Sequence, residues 1–135
     1  MRCLSENNQR WAARAPLLLL VVAIVENDGN PIRTALYDTG LAVGNLTVQA
    51  THNGLVLRQM GGFDREKARS LYRIPETHEP VCVLAVGYPA ESDVLPDDLR
   101  DREGASRERK PLSEFVFSGT WGRAAPVIGE PAGAA

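Results

Sequence analysis

The 135-residue sequence has two cysteines, two histidines and no apolar run longer than nine residues, and each shortage removes a class of function. Cys3 and Cys82 cannot build a disulfide framework or a multi-cysteine metal site, and no C-x-x-C occurs. Cys82 lies within Val81-Cys82-Val83-Leu84-Ala85-Val86, where it reads as a small buried hydrophobe and not as a reactive thiol. So sparse a use of cysteine fits a reducing, cytoplasmic setting. His52 and His78 have no second ligand at metal spacing. Walker A, G-x-G-x-x-G and G-x-S-x-G are all absent, which argues against a P-loop, an ordinary Rossmann site and a serine-hydrolase elbow. Charge of one sign is also missing. Fifteen basic residues against 17 acidic ones give a formal charge of −2, with no electrostatic footprint for nucleic acid or anionic lipid.

What is present suits a soluble globular chain of one domain: 44% hydrophobic, 24% charged, and 12 glycines with nine prolines to separate the elements. Leu17 to Val25 is far below the ~20 residues a membrane span needs. It follows Arg10, Arg14 and Pro16, as the core of a secretory signal would, but ends in Glu26-Asn27-Asp28-Gly29-Asn30-Pro31 without a cleavage pattern. The run therefore reads as a strand buried on both faces.

Residues 1–14 read as the end of a helix or a loop. Thr34 to His52 reads as a helix, with Leu36, Val43, Leu46 and Ala50 near helical spacing and Asn53-Gly54 as its stop. Gly40 and Gly44 share a face, and because glycine costs a helix about 1 kcal/mol, the pair implies close approach of another backbone or a flat ligand. Leu55 to Met60 reads as a short strand before Gly61-Gly62. Asp64 caps a helix from Arg65 to Tyr72 that Ile74-Pro75 closes, and Val81 to Val86 is a second buried strand. Glu91 to Lys110 carries seven acids and five bases, a surface excursion with little core. Leu112 to Phe117 is apolar on alternate positions, and the last residues, 129–135, are expected to be disordered.

Two stretches could carry chemistry. Gln59-Met60-Gly61-Gly62 brings a strand end into a bare backbone that a planar ligand can approach, although Gly-Gly is also a common turn. In Arg107-Glu108-Arg109, an extended backbone would set both guanidiniums on one side, suited to a phosphate, although a solvated charge run has the same composition.

Taken in order, several stretches resemble the C-terminal part of the FMN-dependent nitroreductase family, over roughly residues 7 to 126. They are Asn8-Gln9-Arg10-Trp11-Ala12 with Ala15-Pro16, Tyr37-Asp38-Thr39-Gly40-Leu41-Ala42 with Asn45-Leu46, Gly54-Leu55, Met60-Gly61-Gly62-Phe63-Asp64 and Ile74-Pro75. Ala85-Val86-Gly87-Tyr88-Pro89, Arg107 to Leu112, Phe117 and Trp121-Gly122 complete the set. The resemblance implies an α+β, three-layer fold with a mixed or antiparallel central sheet flanked by helices, as a single partial domain over residues 1–128. It implies a homodimer with FMN at the subunit interface and the long helix in that interface. NAD(P)H would reduce the flavin, which then reduces a nitro, quinone or related acceptor. Gln59, Met60, Gly61 and Gly62 would pass the flavin ring, and Arg107 and Arg109 would reach its phosphate. No catalytic side chain and no metal are implied, because the flavin carries the redox chemistry. Residues 1–14 resemble neither the Arg-rich stretch nor the Asn-x-Gln-Pro-Trp-like stretch found earlier in family members, so an N-terminal portion is expected to be missing. The alternative is a chain that dimerises or binds a flavin-like ligand without turnover.

Overall fold

The structure, a computed structural model, describes residues 2–126; the tail expected over 129–135 lies outside the described residues. The chain divides into two compact units, the first ending at Leu95 and the second beginning at Pro96.

The first unit runs α1 (Glu6–Ala12), β1 (Leu17–Ile24), β2 (Glu26–Asn27), β3 (Asn30–Pro31), α2 (Ala35–His52), β4 (Val56–Met60), α3 (Arg65–Tyr72) and β5 (His78–Gly87). Its main sheet has the order β1-β5-β4, with both pairings antiparallel. Side chains alternate across it with period two. Leu19, Val21, Leu57, Cys82, Leu84 and Val86 pack with Val43 of α2 on one face. Leu18, Leu20, Met60, Val83 and Ala85 pack with Trp11 and Ala12 of α1 and with Leu4 on the other. A strand clothed on both faces needs no polar positions, which is the physical reason for the unbroken run in β1. The run is only half-buried, however, because β1 lies at the edge of the sheet and β5 takes the centre.

The β5 strand begins three residues earlier than expected, and Pro80 lies inside it, fully buried. Proline cannot donate to a ladder. Here β4 pairs only with Val83 to Gly87, so Pro80 has β1 as its one neighbour. At that point the register skips from Val21↔Cys82 to Val22↔Pro80, a bulge that absorbs the missing donor. The turn formers after β1 make a tight β2–β3 hairpin, with Asp28 and Gly29 both at positive φ (50° and 77°) as a two-residue primed turn requires.

The α1 helix is a complete short helix, where the sequence suggests a helix end or a loop. Ser5 caps it, Oγ accepting from the Asn8 N–H at 3.4 Å. The α2 helix stops at Asn53, whose N–H donates to the Gln49 and Ala50 carbonyls, and Gly54 follows at φ +77°. It buries Ala35, Val43 and Ala50. On the opposite face Tyr37, Leu41, Gly44 and Val48 form an exposed apolar stripe at i, i+4, i+7 and i+11 spacing. A Cβ added at Gly40 or Gly44 meets nothing within 4 Å, so no backbone of the described chain approaches either glycine. The α3 helix spans the expected residues, with the Asp64 carboxylate accepting from the Lys67 N–H at 2.9 Å.

In the second unit, α4 (Asp97–Gly104) forms within the charged stretch and buries Leu99. The alternation from Leu112 to Phe117 is not a strand: Leu112–Glu114 is a 3₁₀ turn, and Phe117 bridges Ala124. The Phe117 and Trp121 rings meet at 5.0 Å.

Candidate functional site

The loop after β4 is held from both ends. On its far side Asp64 starts α3, and the Asp64 N–H donates to the Cys3 carbonyl at 2.7 Å. The N-terminal segment then runs antiparallel to the loop, with Leu4 bridging Phe63 and the Ser5 N–H donating to the Gly62 carbonyl at 3.0 Å. Asn8, one turn into α1, donates its Nδ2 to the same carbonyl at 2.9 Å.

The two glycines of this loop differ sharply. A Cβ on Gly62 would lie 2.9 Å from Asn8 Nδ2 and 3.2 Å from Ser5 Oγ, so the packing of α1 itself demands glycine there. A Cβ on Gly61 would meet nothing within 4 Å. Gly61 thus leaves a bare backbone facing open space, next to a peptide that its neighbours fix. Its carbonyl accepts from the Phe63 N–H at 3.1 Å.

The remaining expected residues fall as follows. Gln59 and Met60 alternate across β4: Gln59 is exposed, while the Met60 side chain is buried with Leu4, Ala12, Val83 and Ala85. Beside Met60, Arg58 lies over the Trp11 ring, 5.4 Å from its centroid. Arg107 and Arg109 belong to the second unit, exposed in a segment without regular secondary structure, and Arg109 Nη1 donates to the Glu108 carbonyl at 2.8 Å. Ser5 and Asn8 are the residues that reading for chemistry passes over. The signal available for them is a helix-capping serine three positions before an asparagine.

Titratable groups offer little at this site. Burial pushes the thiol of Cys82, in β5, above its ordinary value of 9.0. Both cysteines are unpaired. His78 Nδ1 shares a hydrogen bond with Thr77 Oγ1 at 2.9 Å, and no group of three His, Cys, Asp or Glu among the described residues could hold a metal. Among the same residues, no helix is long and apolar enough to cross a membrane.

Comparison with known proteins gives this geometry a context. The nitroreductase family model matches residues 3–88. An uncharacterised 15.4 kDa protein from the ask 5′ region of Mycolicibacterium smegmatis is 31% identical over 119 residues, covering 88% of this chain and 80% of that protein. The crystal structure of an oxidoreductase containing FMN superposes with a TM-score of 0.79 at 31% identity, over 89% of this chain and 63% of its own. A nitroreductase family protein from Clostridium difficile gives a TM-score of 0.58 at 26% identity, over 79% and 61%. The chain therefore spans less than two thirds of either solved relative. With the matched segment running from the N-terminal residues that clamp the loop, through Gly61-Gly62, to the end of β5, the chain belongs to the nitroreductase family.

Proposed function

We propose that this chain serves a flavin-dependent oxidoreductase that binds FMN along the Gly61 side of the β4–α3 loop. The observation that carries the proposal is the contrast within that loop. One glycine is consumed by packing while its neighbour presents bare backbone to open space, in a chain whose solved relative contains FMN. A flat ring needs such a surface, because any side chain would hold it away. FMN, when bound, supplies the redox chemistry, taking reducing equivalents from NAD(P)H and passing them to a nitro, quinone or related acceptor. The protein's part is to bind and orient. Gln59 offers a polar side chain beside the ring, Met60 its backbone, and the 61–62 peptide its fixed N–H direction. Arg107 and Arg109 supply charge-assisted donors for the phosphate.

The same reading places the cofactor at the interface of a homodimer in the cytoplasm. Support for the dimer comes from α2, whose stripe of Tyr37, Leu41, Gly44 and Val48 is apolar and faces away from its own sheet. A second copy of the helix would cover it, and Gly40 and Gly44 would allow the close crossing.

The test is spectroscopic. Purified protein incubated with FMN should retain a yellow flavin spectrum after gel filtration, and NADH or NADPH should bleach it anaerobically. Arg109→Ala should weaken FMN binding about tenfold or more, since a charge-assisted hydrogen bond contributes about 1.5–3 kcal/mol. Protein that takes up no FMN refutes the proposal. Colour without bleaching favours a binder that does not turn over.

A further inference from the structure

The Gly62 carbonyl carries two donors, and this has directional force. A carbonyl oxygen has two lone pairs, and here both are taken, by the Ser5 N–H at 3.0 Å and by Asn8 Nδ2 at 2.9 Å. The preceding carbonyl, that of Gly61, accepts from the Phe63 N–H at 3.1 Å. No peptide in the described chain is cis, so each N–H points opposite the carbonyl of its own peptide plane. With the Gly61 carbonyl folded back on Phe63 and the Gly62 carbonyl pinned to α1, the 61–62 peptide has one orientation left. The Gly62 N–H donates to no acceptor among the described residues.

We infer that Asn8 is a positioning residue: it locks the Gly61-Gly62 turn so that the Gly62 N–H is aimed, before any ligand arrives, at the acceptor edge of a flat heterocycle lying against Gly61. The inference rests on the flavin reading above and adds the residue that prepares its backbone donor. Glycine has the freest backbone of any residue, so a Gly-Gly turn without a clamp would sample many orientations, each of which dilutes the competent one. The backbone bonds from Ser5 and to Cys3 tie the loop to a segment that has no regular structure of its own, and Asn8 adds a side-chain donor to the same Gly62 carbonyl. Asn8 sits on a capped helix whose Ala12 is buried in the core, so it supplies a rigid second point.

The test compares the full chain with Asn8→Asp, which has nearly the same shape but turns a donor into an acceptor facing a carbonyl. The second variant is Gly62→Ala, whose Cβ must push the Asn8 amide aside. In the flavin-free protein, hydrogen exchange at the Ser5, Phe63 and Asp64 amides should accelerate at least tenfold in both variants, while Val83 and Leu84 in β5 keep their rates. FMN affinity should fall about tenfold, and the midpoint potential of bound FMN should shift, a readout that a purely structural role would leave alone. Faster exchange with unchanged affinity and potential overturns the inference, as does unchanged exchange; in both cases the flavin reading stands. If the unaltered protein binds no FMN, the flavin reading itself falls and takes this inference with it.

Discussion

Gly61→Ala and Gly62→Ala differ by one position and should behave in opposite ways. Neither glycine has a left-handed φ, so alanine can adopt both backbones without strain. Each substitution therefore gains the same unfolded-state term, about 0.4–1 kcal/mol of stability from a less flexible denatured chain. That term cancels in the difference between the two variants, leaving the local contacts. At Gly61 the new methyl meets nothing within 4 Å and costs nothing. At Gly62 it arrives 2.9 Å from Asn8 Nδ2 and 3.2 Å from Ser5 Oγ. The Asn8 amide must swing away from the Gly62 carbonyl, at a cost of one neutral hydrogen bond, about 0.5–1.5 kcal/mol net. Crowding against Ser5 adds to this, so Gly62→Ala should be less stable than Gly61→Ala by about 1–2 kcal/mol.

Urea unfolding of the flavin-free proteins followed by circular dichroism measures that gap, and titration with FMN supplies the second axis. Gly61→Ala should fold at least as well as the parent and still bind FMN more than tenfold more weakly, because its methyl occupies the surface offered to the ring. Two results refute the reasoning. One is a Gly62→Ala protein as stable as Gly61→Ala, which would mean that α1 does not press on the loop. The other is a Gly61→Ala protein with parental FMN affinity, which would move the ligand elsewhere.

Other parts of the structure make further commitments. Arg69 donates Nη1 to the carbonyls of Ile74, Pro75 and His78 at 3.3, 2.7 and 2.8 Å and pairs Nη2 with Glu79 at 3.4 Å. Arg69→Met should cost about 2–4 kcal/mol in urea unfolding, and a loss under about 1 kcal/mol would show that water replaces those bonds freely. Val48→Glu puts a charge at the C-terminal end of the exposed α2 stripe and should convert the proposed dimer to monomer by analytical ultracentrifugation without unfolding it; a persistent dimer would remove α2 from the interface. Burial raises the Cys82 thiol above 9.0, so the folded protein favours the protonated form. The resulting stability is complete below the unfolded value and is lost as pH rises through the folded one, so the urea midpoint should fall above about pH 9 and Cys82→Ala should flatten that slope.

How much of this could be read from the residues depended on whether the cause was local. Asp64 with Ile74-Pro75 marks both ends of α3 because a cap and a proline act within a few positions of themselves. The Leu17–Ile24 run discloses a strand covered on both faces, but not its place in the sheet, since edge and centre are decided by a partner far along the chain. Pro80 points to a strand starting after it, and only the bulge opposite Val22 and the short reach of β4 make room for it. The seven residues of α1 are too few to hold a helix by propensity. They are fixed instead by Ser5 and by contacts to Gly62, which lies 54 positions from Asn8. For the same reason Gly61 and Gly62 look alike in the sequence, and their division of labour emerges only when α1 arrives.

The central place of β5 sets the order in which this protein can be made. Both outer strands of the main sheet are registered on it, Leu17 to Val86 on one side and Val56 to Gly87 on the other, and β1 and β4 do not pair with each other. A ribosome that has finished α3 has therefore produced two strands with nothing to hydrogen-bond to in this sheet. At roughly 5–20 residues per second, the interval between the end of β1 and the end of β5 lasts about 3–13 s. Throughout it the Leu17–Ile24 run has no partner in this sheet, so the sheet can close only once β5 has emerged.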